Sequence, residues 1–226
     1  MKKIFTITLL ALVFLIACEK ENESDSKSNF IEYQNEKYQL GQGYNVMFSE
    51  LDCGNNDVFA YGLYLTDGIE ISKLVNGNGM TLAWYGKGNI SCFNLYCKSS
   101  KILEGTYSFV DSVKCSSYYI GGKPFTINAS DKYCSINGEM NDPTHFAIDV
   151  DLTLGWDNIV KGNEPSAGDY NKFNAYVLKR TGFKSGELKI AKKESIYEIT
   201  LNCITQDGKS VNGKFTGELK EIEFGI

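Results

Sequence analysis

The stretch that decides the fold is HFAIDVDLTL, His145–Leu154. Phe146, Ile148, Val150, Leu152 and Leu154 alternate with Ala147, Asp149, Asp151 and Thr153. A two-residue period places the first set on a dry face and the second on a wet face of a β-strand. Phe59, Tyr61, Leu63 and Leu65 repeat the design. So do Tyr197, Ile199, Leu201 and Cys203, with Glu198, Thr200 and Asn202 pointing outward. Asp67-Gly68, Gly121-Gly122 and Asp207-Gly208 fall between such runs, where tight hairpins need positive φ. Two polar stretches, 76–89 and 155–171, read as loops. The chain holds only three prolines and shows no long amphipathic helical pattern. The expectation is an all-β protein, an antiparallel β-sandwich or β-barrel-like single domain over residues 30–226.

Upstream of that body lies a different kind of segment. Lys2 and Lys3 precede an apolar run from Ile4 to Ala17, followed by Cys18. A positive start and a short apolar stretch make a secretory signal, too short for a spanning helix of about 20 residues. Leu15-Ile16-Ala17-Cys18 resembles the lipobox of bacterial lipoproteins. The resemblance implies cleavage after residue 17, fatty-acyl chains such as palmitate on Cys18, and a membrane anchor at the outer membrane. Residues 18–29 read as the lipidated cysteine and a polar tether that cannot bury surface. Glu19, Glu21 and Glu23 beside the cysteine resemble the acidic export signal of surface lipoproteins of the Bacteroidota, with Lys20 and Asn22 interrupting it. Cell-surface exposure is the expectation from that likeness, and a periplasm-facing position is the alternative.

Removing 17 of the 226 residues leaves 209, and the loss of Lys2 and Lys3 takes the formal charge from −5 to −7. An acidic body of this kind argues against nucleic acid as a partner. Anchoring must therefore come from acyl chains, of which two or more hold firmly. Six further cysteines, Cys53, Cys92, Cys97, Cys115, Cys134 and Cys203, are an even number in an exported chain. They permit disulfides, and buried thiols are the other reading. Cys92 and Cys97 cannot pair with each other, because five strand residues hold them about 16 Å apart on opposite faces. Zinc is not expected, since there is no CxxC and only one histidine.

The C-terminal stretch SGELKIAKKESIYEITLNCITQDGKSVNGKFTGELKEI, residues 185–222, is similar to the ending of many lipoproteins of the Bacteroidota. The matching positions are Gly186, Tyr197, Ile199, Gly208, Gly213, Phe215, Gly217 and Leu219, and Gly105 and Tyr107 of ILEGTYSF belong to the same likeness. It covers about a third of the mature chain and carries no reaction or catalytic residue. Glycines alternating with Phe215 and Leu219 suit a curved strand, or one crossed closely by a ring.

Candidate chemistry is sparse. Any serine or cysteine nucleophile would need His145, which the pattern places at an exposed strand end without a GxSxG elbow. SDSK, Ser24–Lys27, has the letters SxxK but sits in the tether. Asp149 and Asp151 project from one face about 7 Å apart. That spacing suits paired carboxylates on a glycosidic bond, or calcium ligation with loop carbonyls; the plain reading is a solvated face. Trp84 and Tyr85, and Trp156 and Tyr170, border the two loop-like stretches, where aromatics stack on flat polar ligands such as sugars. Their plain reading is that they plug the ends of the sandwich. Asp111-Ser112-Val113 resembles the O-glycosylation sequon of exported Bacteroidota proteins, with Ser112 as acceptor, while Asn128-Ala129-Ser130 has N-glycosylation letters that a bacterial host does not use. The reading that follows is a lipid-anchored, non-catalytic module binding a glycan or protein ligand. The alternatives are a carboxylate-dependent glycan hydrolase and a structural part of an envelope or appendage assembly.

Overall fold

The computed structural model describes residues 29–52, 57–76, 79–99, 101–102, 104–110, 133–135, 144–152 and 179–223. Its regular elements are strands: β1 (Phe30–Tyr33), β2 (Glu36–Gln39), β3 (Gln42–Asp52), β4 (Asp57–Asn76), β5 (Gly79–Cys97), β6 (Gly105–Val110), β7 (Tyr133–Ser135), β8 (His145–Asp151), β9 (Thr181–Lys193), β10 (Ile196–Thr205), β11 (Ser210–Gly217) and β12 (Leu219–Glu223). They form one sheet in the order β12-β3-β4-β5-β7-β6-β9-β10-β11-β1-β2, with β8 bridging β5 and β9. Among the described residues only β12–β3 and β6–β7 pair in parallel. The sheet does not close into a barrel.

It folds on itself instead. β11 and β12 stand eight strand positions apart, roughly 38 Å at ~4.8 Å each. Yet Glu218 alone joins them, and one residue reaches no more than about 7 Å. The two halves must therefore curl face to face, which makes the sandwich. Asn29 ties the ends of β1 and β11 together: its side chain accepts from Thr216 N at 2.7 Å and donates to Thr216 O at 3.1 Å. Its carbonyl accepts from Leu40 N at 3.0 Å.

Alternation fills the space between the halves. Tyr61, Leu63 and Leu65 of β4 and Phe93, Leu95 and Cys97 of β5 meet Leu188 and Ile190 of β9, Ile199, Leu201 and Cys203 of β10, and Phe215 of β11. Phe183 lies at the centre, stacked on Phe93 and Phe146 at 5.7 and 5.6 Å, with Phe109 edge-on at 6.0 Å. Each such ring contributes about 1.5–3 kcal/mol by leaving water. Glycine leaves room for Phe215. A Cβ on Gly217 would meet its ring at 3.0 Å and one on Gly43 at 2.9 Å, whereas one on Gly213 would meet Leu201 at 2.8 Å, so of the two alternating glycines only Gly217 serves close ring packing.

The opposite face of β3, β4 and β5 is also dry. Tyr44, Val46, Tyr64, Ile69, Ile71, Ile90 and Cys92 form a second core with Ala147, Val150 and Leu152. Its cover is the far end of the β4–β5 hairpin, which is where the expected turns are wrong. Asp67-Gly68 is not a hairpin turn: β4 runs through it to Asn76, which pairs with Gly79. Residues 79–89 likewise lie in β5, not in a loop. Glycine at positive φ serves a turn and a bulge equally, so local chemistry could not separate them. Gly68, Gly86 and Gly88 have φ of 69°, 135° and 148°, and any Cβ there would strike a carbonyl of the facing strand. The ladder slips at Asp67/Ile69, and the hairpin bends sharply. Tyr64 pairs with Cys92 and Trp84 with Ile71, so a straight ladder would hold the two rings about 23–26 Å apart. Their centroids are 5.5 Å apart, edge to face.

β8 departs from its expected alternation for a related reason. Ile90 faces Ala147 and Gly88 faces Val150, so Ile148 and Asp149 bulge opposite Asn89. Asp149 has φ 48° and its N–H donates to Asn89 Oδ1 at 3.2 Å. The extra residue shifts the parity. Phe146 joins the inner core, with Ile148 packed against it, while Val150 and Leu152 join Ala147 in the second core. Both faces of β8 are buried, not one. His145, expected at an exposed strand end, is fully buried between β5 and β9.

The C-terminal hairpins follow the sequence more closely. Tyr197, Ile199, Leu201 and Cys203 are all buried, with Glu198, Thr200 and Asn202 exposed. The Asp207-Gly208 turn is real but has a three-residue loop: Gly208 N donates to Thr205 O, and Gly208 sits at φ 84°. Two turns without glycine escaped the sequence reading. Gln34-Asn35 joins β1 to β2 with both φ positive, as type I′ requires, and Glu194 at φ 58° opens the β9–β10 turn.

Cys92, Cys97 and Cys203 are buried thiols. Burial pushes the Cys203 thiol up from 9.0 to about 12, partly offset by hydrogen bonds from the Asn202 and Glu187 backbone. The unfolded thiol ionises near pH 9 and the folded one does not, so this group's stabilisation is complete below pH 9. It is lost as pH rises from 9 towards 12. We expect the wild type to lose roughly 2 kcal/mol more than Cys203→Ala between pH 8 and 10.5, by ~1.36 kcal/mol per pH unit above 9. Urea melts of both proteins at the two pH values measure this; equal losses would contradict it.

Candidate functional site

A cleft of about 160 Å³ opens between the two halves of the sandwich. The inward alternation that points Gly43 at Phe215 also points Asn45 and Met47 inward from β3. Tyr61, paired with Met47, continues the wall on β4. Lys192 and Tyr197 face one another beside the β9–β10 turn. Lys101 and Ile102 come from the segment after β5, and Glu221 and Glu223 from β12.

The polar geometry is lopsided. Tyr61 donates to Ser99 O at 2.5 Å, and burial, with Cys97 and Glu221 nearby, raises its pKa. Lys192 donates to the Tyr197 hydroxyl at 2.9 Å and its ammonium lies 4.6 Å from the ring centroid. That hydrogen bond, assisted by the charge of Glu221, raises the Lys192 pKa. Among the described residues no ion pair joins Lys101 or Lys192 to Glu221 or Glu223. Asn45 is 8% exposed, and its Oδ1 is buried without a hydrogen-bond partner.

The sequence candidates lie elsewhere. Trp84 and Tyr85 are strand residues of β5, not loop residues. Trp84 is half-buried against Tyr64 in the second core, and Tyr85 is 41% exposed. Asp151 pairs with Lys87 at 2.9 Å in a largely exposed bridge worth at most about 1 kcal/mol. The Asp149 carbonyl accepts from Lys179 at 2.5 Å. Among the described residues no three His, Cys, Asp or Glu side chains gather as a metal-holding group. Cys18, Ser112, Trp156 and Tyr170 lie outside the described residues. His145 faces Cys92 across the β5–β8 ladder, and both are fully buried.

Comparison of the chain with protein-family models, curated proteins and solved structures finds no match.

Proposed function

We propose that the chain is a non-catalytic binding module of the bacterial envelope, held to the outer membrane by lipid on Cys18 and taking a small polar ligand in the cleft between its layers. The observation that carries the reading is Asn45. An unpartnered buried amide oxygen costs roughly 1–3 kcal/mol, and the core-facing position would accept a leucine. A ligand donor offsets that cost once the side chain turns its oxygen, closed to water in the free protein, towards the cleft. Sites of function are where stability is commonly given up. The hydrolase reading draws less support, since Asp149 and Asp151 line no part of the cleft and Asp151 is tied to Lys87. An assembly role by strand addition also draws less: the outer strands β2 and β12 are four and five residues long and rich in Lys and Glu, features that discourage edge pairing.

The test pairs stability with binding. Asn45→Leu should melt at or above the wild-type temperature and lose the thermal shift that a small polar ligand gives the wild type. A ligand that shifts both proteins equally would contradict the reading.

A further inference from the structure

We infer that the cleft ligand is a small zwitterion, a free amino acid or a molecule that carries an ammonium and a carboxylate in the same way. This rests on the binding reading above and adds its chemistry. The walls are of opposite sign. Lys101 and Lys192 bring two ammoniums from the post-β5 segment and β9, while Glu221 and Glu223 bring two carboxylates from β12. Lys192 feels the charge of Glu221, yet no ion pair closes the gap between them. A ligand with both charges spans that gap, with its carboxylate towards the lysines and its ammonium towards the glutamates. A ligand with one charge satisfies one wall and leaves the other unanswered.

Asn45 supplies the second, independent observation. Its amide is nine-tenths buried with an oxygen that lacks a donor. An ammonium has three N–H donors, so one can meet the amide, once the Asn45 side chain turns its oxygen out of the core towards the cleft, while others meet carboxylates. A carboxylate alone has no donor and cannot satisfy it.

Ring access weighs against a sugar. A volume of about 160 Å³ lies below the ~300 Å³ at which drug-sized sites begin, so the ligand is small. Sugar sites place the ligand against an open aromatic face. Here Tyr61 is 1% exposed with its hydroxyl committed to Ser99, and the Tyr197 ring is covered by Lys192. Met47, Ile102 and Ile222 leave an apolar margin for a short aliphatic side chain.

Isothermal titration of the mature chain tests this. The panel is glycine, alanine, serine and glutamate, with acetate, methylamine, glucose and N-acetylglucosamine as controls. The expected result is binding of at least one amino acid with a dissociation constant below about 1 mM, at least tenfold tighter than any control. Glu221→Gln should weaken it at least tenfold without moving the melting temperature, since the side chain is exposed; Lys192→Met should weaken it at least tenfold and lower the melting temperature only slightly, since it also loses the contact with Tyr197. Amino-acid binding unchanged in either variant overturns the inference. A sugar or single-charged control that binds best, and is lost in Asn45→Leu, overturns the zwitterion but leaves the cleft as the site. Silence from the whole panel overturns the zwitterion, and leaves the cleft standing only if another small polar molecule shifts the wild type and not Asn45→Leu.

Discussion

Phe183→Ala should remove about 3–5 kcal/mol, the usual cost of truncating a fully buried phenylalanine. The side chain is wholly buried and touches three other rings: two stacked near 5.6 Å and one edge-on. It also sits where β5, β6, β8 and β9 meet, so the cavity cannot close by moving one strand. Against a typical stability of about 5–15 kcal/mol, the variant should be marginal at room temperature. Phe183→Leu, which keeps most of the volume, should cost much less. Ile196→Ala, at a side chain 37% exposed on the β9–β10 turn, should stay within about 0.5 kcal/mol. Urea denaturation of the three variants measures the series. A Phe183→Ala cost under about 1 kcal/mol would mean the two halves do not pack through this cluster.

Gly86→Ala should cost about 3 kcal/mol or more, through two additive causes. At φ 135° an alanine is strained by roughly 1–3 kcal/mol. Its Cβ would also run into the Gly68 carbonyl, a backbone atom that cannot turn away. The bend must then open, lifting Trp84 from Tyr64 and exposing the second core. In a Trp156→Phe background, Trp84 emission should shift to the red. Gly208→Ala is the control: its φ is also positive, but nothing lies within 4 Å of the added methyl. It should cost only the left-handed penalty of about 1–2 kcal/mol and leave emission unchanged. Equal costs for the two variants would contradict the bent hairpin.

These positions also show what the sequence could and could not tell. The strand from Tyr197 to Cys203 was legible because a single face is buried, so alternation maps directly onto burial. His145–Asp151 was legible as a strand but not in its facing, because a bulge at Ile148-Asp149 reverses parity and leaves no mark in hydrophobicity. His145 lies before the bulge; it is buried, and not at an exposed end, because β8 is inserted between β5 and β9. The long β4–β5 hairpin reads as two pieces in sequence, since Asp67-Gly68 has the composition of a turn although the pairing continues to Asn76 and Gly79. Trp84 and Tyr85 look like loop aromatics for the same reason. The cleft was not legible at all. Asn45, Tyr61, Lys192, Tyr197 and Glu221 come from five strands spread over 177 positions of sequence, and each looks ordinary in its own strand. Only the curl that brings β12 beside β3 makes them neighbours.

The most direct trial of the binding account is an NMR titration of isotope-labelled protein with the amino acids and sugars named above. The account predicts shift changes confined to the cleft, led by Asn45, Met47, Lys192 and Glu221. Changes centred on Tyr85 or on Asp149 and Asp151, with the cleft resonances still, would contradict it.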